Sequence, residues 1–334
     1  MQKEQSWREL LANLPNAEKK RIVKALGIRN NTLTRWIRGH ILLPHPYRLQ
    51  QLIHILPLTI RARFVALLHQ DPLYKHHARK LSLVPTHLEI PSTFYARILE
   101  TNISVTDNLR FSAISQLALL QALDLFDPNR LGFFFTILRC TPPTDGRTVR
   151  SLYQQCAMGT PPWSTIMNQT RNFFGCESLA GQAVEQLRPI AIHDFAGYSV
   201  HPHEPQDIYA ASMAACPIIR DGCVAGALLA ASAQPYYFLP GHLNLLRQYS
   251  YLLVIGIDEH ELYDVRHLAL GTMPPIALQQ EITTQLQEKL TNQVKRNPLE
   301  EHFKTWPDAE REMLHYLEEQ LLTYTTSNNK QQNS

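Results

Sequence analysis

Cysteine is scarce in this 334-residue chain, and the five present (Cys140, Cys156, Cys176, Cys216, Cys223) are odd in number and contain no CxxC pair. That spacing argues against a disulfide framework and a cysteine-based zinc site, and it fits a reducing cytoplasm. Long apolar runs are also missing. None approaches ~18 residues without polar interruption, so no membrane span is predicted. The opening MQKEQSWREL has no apolar segment behind a basic one, so no secretory signal peptide is expected. Walker, GxSxG and HExxH patterns are absent from the sequence, and with them the commonest phosphate-loop, serine-hydrolase and zinc-protease chemistries. No catalytic residue, metal or cofactor is assigned, and the chain reads as one that binds rather than converts.

What is present is an uneven distribution of charge. The net charge is only +3, yet the segment up to Pro85 holds 15 Lys/Arg against four acids (Glu4, Glu9, Glu18, Asp71). The remainder is acidic. A basic N-terminal module on an acidic body suggests a phosphate-binding head attached to a body with another task.

The hydrophobic fraction of 44% is ordinary for a globular protein, and the length predicts two or three domains. Five short helical patterns (6–14, 16–26, 31–38, 46–56 and 58–69) predict an all-α bundle over 1–70. A proline-bearing, basic stretch over 71–91 reads as a linker. From 92 to 265 the order is two helices (92–101 and 107–126), two strands (131–139 and 149–157), a helix (178–187), a short strand (188–194), a polar loop, a hairpin (212–232) and a long helix (240–260). That order predicts an α+β domain with an antiparallel sheet. Asp221-Gly222 is a favoured hairpin turn. It pairs Arg220 with Cys223 and, in unbroken register, Cys216 with Ala227. Residues 266–324 read as a helical C-terminal region with stripes of Leu278, Ile282, Leu286, Leu290 and Val294, then Leu314, Leu317 and Leu321. The Asn/Gln/Lys/Ser tail, 325–334, reads as disordered.

Within the basic module, Lys19–Arg38 (KKRIVKALGIRNNTLTRWIR) carries the sharpest pattern. Ile22, Leu26, Ile28, Leu33 and Trp36 sit where two short crossing helices need apolar contacts. Gly27 sits at the corner that favours a left-handed backbone. Asn30 or Asn31 can cap the second helix. This block resembles the Xre/Cro/C1 family of helix-turn-helix domains, and Gly39, Pro44 and the leucine-rich helix 49–56 continue the resemblance. Val23 departs from it, standing where the family usually has Ala at the close approach of the two helices. The resemblance implies DNA binding, with the second helix in the major groove. Its base readers would be among Asn31, Thr32, Thr34 and Arg35. Arg29, Arg38, Lys19, Lys20 and Arg48 are placed for phosphates.

In the second domain, ESLAGQAVEQLRPIAIHD followed by ASMAACPIIRDGCVAGALLAAS resembles the GAF family of ligand-binding domains, over about 95–262. The resemblance implies a small molecule between the sheet and a lid formed by the loop from His193 to Ala211. That loop offers His193, His201, His203 and Tyr209 as ligand contacts. His201 and His203 with Glu204 have donor atoms for a transition metal, but two histidines one residue apart need further ligands, and no metal is assigned. The signatures of the cyclic-nucleotide and bilin branches are absent. The offset of Cys216 from Cys223 speaks against the methionine sulfoxide reductase branch. The resemblance also implies pairing of two copies through helices 107–126 and 240–260, using Ile114, Leu117, Leu120, Leu125, Leu245, Leu246, Leu252 and Leu253. The same residues can instead cover the sheet of one copy. The C-terminal helices can dock on the sensor, extend a dimer or bind another protein.

Together these readings predict a cytoplasmic, homodimeric transcriptional regulator that binds DNA and an unidentified small molecule. The alternatives are a signalling adaptor whose N-terminal bundle binds protein, and a redox enzyme on the GAF fold.

Overall fold

A computed structural model describes residues 6–40, 44, 46–57, 60, 63–64, 67–68, 71, 89–144, 148–163, 172–193, 209–235, 237–238, 240–284 and 306–332. The chain divides into two units, Met1–Leu88 and Glu89–Ser334. The segment read as a linker lies almost wholly outside the described residues, as do His201, His203, Glu204 and the stripe positions Leu286, Leu290 and Val294.

The first unit is helical: α1 (Trp7–Ala12), α2 (Asn16–Leu26), α3 (Asn30–Ile37) and α4 (Pro46–Ile55). Ser6 caps α1 by accepting a hydrogen bond from the Glu9 amide, which satisfies one of the open donors of the first turn. α2 ends at Gly27, whose left-handed φ of 61° lets its amide and that of Ile28 bond back to Lys24 and Val23 carbonyls. Neither Asn30 nor Asn31 caps α3, contrary to the sequence expectation. Arg29 is already extended and stands at the N-cap without a side-chain bond, so both asparagines fall inside the helix. Trp7, Leu10, Leu11, Ile22, Leu26, Leu33, Trp36, Leu49, Leu52, Phe64 and Leu68 form one buried core, against which Val23 and Ile28 pack half-buried. The Trp7 indole meets Phe64 edge-on at 6.0 Å, and its N–H donates to Asp71 at 2.8 Å.

The second unit is built on a seven-stranded antiparallel sheet in the order β3-β2-β1-β6-β5-β4, with β7 also pairing β6. Its elements are α5 (Ser92–Ser104), α6 (Asp107–Phe126), β1 (Phe133–Cys140), β2 (Leu152–Gly159), β3 (Phe173–Phe174), α7 (Leu179–Gln186), β4 (Ile190–Ile192), β5 (Ser212–Arg220), β6 (Cys223–Ser232), α8 (Pro240–Val254), β7 (Tyr263–Asp264) and α9 (Trp306–Gln332). Alternation along β1 divides the core. Phe133 and Phe135 meet Phe126 of α6, whose ring also reaches Tyr249 of α8. Phe134, Leu138 and Cys140 join the opposite cluster with α7. By length and composition α6 is the one described helix apolar enough to cross a bilayer. Its buried Ile114, Ala118, Leu119, Ala122, Leu123 and Phe126 face the protein interior.

Three sequence expectations change here. The hairpin turn is at Asp221-Gly222, with positive φ at both residues as a type I′ turn needs. Arg220 does pair with Cys223, but a bulge then shifts the register, so Cys216 faces Leu228 instead of Ala227. The residue left out of the pairing is Ala225, and beside it Gly226, at φ 152°, has no room for a side chain: an added Cβ would stand 1.9 Å from the Leu138 carbonyl oxygen. α8 stops at Val254. Beyond it Asp258 and Glu261 form a reciprocal capping box that starts a separate turn over Glu259–Glu261. The tail read as disordered from 325 is helical to Gln332. Adding residues to an existing helix avoids the cost of nucleation, which offsets the weak helix propensity of Thr325, Thr326, Ser327, Asn328 and Asn329.

α9 packs on the β2–β3 edge of the second unit. Leu314, Leu317 and Leu321 share a cluster with Tyr153 of β2, Phe173 of β3 and Met273. Gln279 accepts from the Phe173 amide and donates to its carbonyl, each at 2.8 Å, so the backbone of edge strand β3 is satisfied.

Candidate functional site

The candidate functional residues fall in two places, one in each unit. In the first unit, Leu33 and Trp36 anchor α3 inward while Asn31, Thr34 and Arg35 lie exposed, with Arg38 just beyond its end. The helical repeat separates the two sets. Thr32 is half-buried, and the Thr34 hydroxyl donates to the Asn30 carbonyl at 3.1 Å. Arg29 and Lys20 are exposed. The other two cations are engaged within the fold. Lys19 Nζ donates to the Ala12 carbonyl at 2.6 Å, and Arg48 donates to the Leu26 carbonyl at 2.6 Å and to Gln51. Arg48 thus caps the C-terminal end of α2, where a cation meets the negative end of the helix dipole.

In the second unit, the sheet face opposite α6 and α8 carries an apolar cluster of Phe134, Leu138, Ala157, Trp163, Met213, Ala215, Ala227, Leu229 and Ala231. Here Trp163, which the sequence reading passed over, is central. Its ring stacks on Phe134 at 6.2 Å and 22°, and meets Tyr209 edge-on at 6.1 Å and 81°. Its indole Nε1 is buried and has no hydrogen-bond partner among the described residues. An orphaned donor of this kind costs about 1–3 kcal/mol. The only signal in the sequence was an aromatic residue after two prolines.

The loop that leads to this face is held by Asp127, which is buried. Its carboxylate accepts from the Leu131 amide at 2.7 Å, the Gly132 amide at 3.1 Å and the Thr160 hydroxyl. Those bonds fix Gly132 so closely that an added Cβ would lie 3.2 Å from Trp163 Cζ3.

The structure brings Tyr209 to Trp163 and places His193 one residue beyond β4. Burial pushes the His193 imidazole below its ordinary pKa, which favours the neutral ring. No group of three or more His, Cys, Asp or Glu with metal-binding spacing occurs among the described residues.

The cysteines are separate and reduced. Burial pushes the Cys140 and Cys156 thiols up to about 12 and Cys216 to about 11, against the weaker pull of Arg139 on the first two and of Ser250 and Arg247 on Cys216. Arg139 is itself buried, paired with Glu261 at 2.8 Å and stacked over Phe111 at 4.3 Å. Of the helix residues expected to pair two copies, Ile114, Leu245, Leu246, Leu252 and Leu253 are buried within one chain, Leu117 and Leu125 are half-buried and Leu120 is exposed. The first five therefore serve their own core.

The family model for the GAF domain matches residues 109–258, and this part of the chain is a GAF domain. No curated protein matches the chain. Among solved structures it is similar to fRMsr of Staphylococcus aureus in complex with substrate, at 15% identity over 51% of this chain and 98% of that one, with a TM-score of 0.33. The free methionine-R-sulfoxide reductase from Neisseria meningitidis in complex with its substrate gives 16% identity, 51% and 93% coverage and a TM-score of 0.33. The GAF domain of a phosphoenolpyruvate-protein phosphotransferase from Coxiella burnetii gives 14% identity, 48% and 88% coverage and a TM-score of 0.33.

Proposed function

We propose that the chain is a ligand-responsive transcriptional regulator. α2 and α3 form a helix-turn-helix that binds DNA, and the GAF domain binds a small molecule in the cytoplasm. The observation that carries the reading is the split of α3. Leu33 and Trp36 hold it in the core, and Asn31, Thr34, Arg35 and Arg38 stand outside on a strongly basic unit. Asn suits adenine and Arg suits guanine through paired hydrogen bonds. Arg29, Arg38 and Lys20 neutralise phosphates, which set register without reading sequence. Lys19 and Arg48 would have to leave their carbonyl partners to do the same.

Two copies binding together would present two recognition helices to two half-sites and gain affinity from the linkage. Ligand can regulate such a dimer only by preferring one of its states. Burial keeps the Cys140, Cys156 and Cys216 thiols protonated, which speaks against thiolate chemistry at those three positions.

Selection of bound duplexes from random DNA with the full chain tests the proposal. Enrichment of a sequence with two related half-sites is the expected result. Recovery of an unenriched pool would overturn it.

A further inference from the structure

Resting on the reading of the GAF domain as a small-molecule sensor, we infer that its ligand is an uncharged, planar molecule that accepts a hydrogen bond from Trp163 Nε1 through a carbonyl oxygen or ring nitrogen, packed against Phe134 and Tyr209. Three observations converge. The Trp163 side chain is buried, at 5% exposure, and its N–H has no hydrogen-bond partner among the described residues. The opposite edge of the ring, at Cζ3, is packed toward Gly132. The N–H edge therefore points away from the Asp127-held loop that fixes Gly132. Finally, Trp163 belongs to an apolar core cluster with Phe134, Met213, Leu229 and Val184.

A buried donor among such side chains calls for an acceptor supplied from outside the chain. A cation would meet the positive edge of the indole instead of its negative face. An anion would give up its hydration among these apolar side chains. Flat rings at stacking and edge-on angles favour a flat guest. Tyr209, 46% exposed, is the ring that such a guest can reach from solvent.

The test uses the full chain labelled with nitrogen-15 in its four tryptophans. Trp163→Phe assigns the Trp163 indole resonance. If that variant does not fold, Trp7→Phe, Trp36→Phe and Trp306→Phe assign it by elimination. Benzamide is titrated as the neutral, planar, acceptor-bearing probe, with toluene, benzoate and benzylammonium as controls. The expected result is a saturable downfield shift of the Trp163 indole proton with benzamide, at a Kd at least tenfold below those of the controls. A Trp163 resonance unmoved by benzamide, or equal affinity for toluene, overturns the inference. A control that raises the melting temperature without moving that resonance overturns it too, while leaving the sensor reading intact.

Discussion

Arg150 and Glu318 stand 168 residues apart in sequence, and the guanidinium of one meets the carboxylate of the other at 2.6 Å. Glu318 also accepts from the Ser151 hydroxyl at 2.6 Å, and Ser151 in turn shares a hydrogen bond with Thr141. The pair ties α9 to the start of β2. Truncating one partner of a buried ion pair costs ~3–5 kcal/mol when the other is left alone. Here Arg150 keeps Glu319 at 2.9 Å, so Glu318→Ala is expected to cost less, about 2–3 kcal/mol. Urea unfolding measures it. The double variant Arg150→Met with Glu318→Leu should recover part of the loss, because apolar side chains refill the space that Glu318→Ala empties, while the half-exposed Glu319 exchanges its partner for solvent.

The buried thiols give the fold a definite pH dependence. In the unfolded chain a thiol ionises near ~8.5, whereas folding holds Cys140 and Cys156 protonated to about 12. Between these values the unfolded state binds fewer protons. The stability contributed by the neutral thiols is complete below ~8.5 and is lost as pH rises, by up to ~1.4 kcal/mol per unit for each thiol. Denaturant midpoints for wild type and for Cys140→Ala/Cys156→Ala, compared at pH 7 and pH 10, report it. The wild-type midpoint should fall more steeply.

Gly226→Ala tests the bulge. The new methyl would collide with the Leu138 carbonyl in the central β1–β6 pairing, where backbone cannot easily move. A loss above about 3 kcal/mol is expected, read as a large drop in melting temperature.

Much of this architecture was legible beforehand because its signals are local. Asp221-Gly222 set a turn, Gly27 ended α2, and apolar spacing marked α6 to the residue. The remainder depends on contacts that periodicity does not encode. The bulge at Ala225 had a hint in its neighbour Gly226, an isolated glycine inside a strand, where the Leu138 carbonyl approaches too closely for a side chain. β3 and β7 have two residues each, too few for alternation to register. Trp163 acquires its place only when Phe134 and Tyr209 close on it. Arg48 reads as a surface cation until folding offers it the Leu26 carbonyl.

The outer face of α3 gives a separable pair of effects. Asn31→Ala and Arg35→Ala should each cost ~1–3 kcal/mol on the selected duplex and relax the preferred sequence. Both residues are exposed, so the melting temperature should stay within about 2 °C of wild type. Competition binding with single-base variants of the site measures the loss of preference.

If the basic N-terminal unit engages the phosphate backbone of DNA, anisotropy of the full chain on its selected duplex must depend on salt. Log K is expected to fall linearly with log salt, and Arg29→Ala and Arg38→Ala each to reduce the slope by about one. Binding that is absent, or indifferent both to salt and to these two arginines, would contradict that engagement.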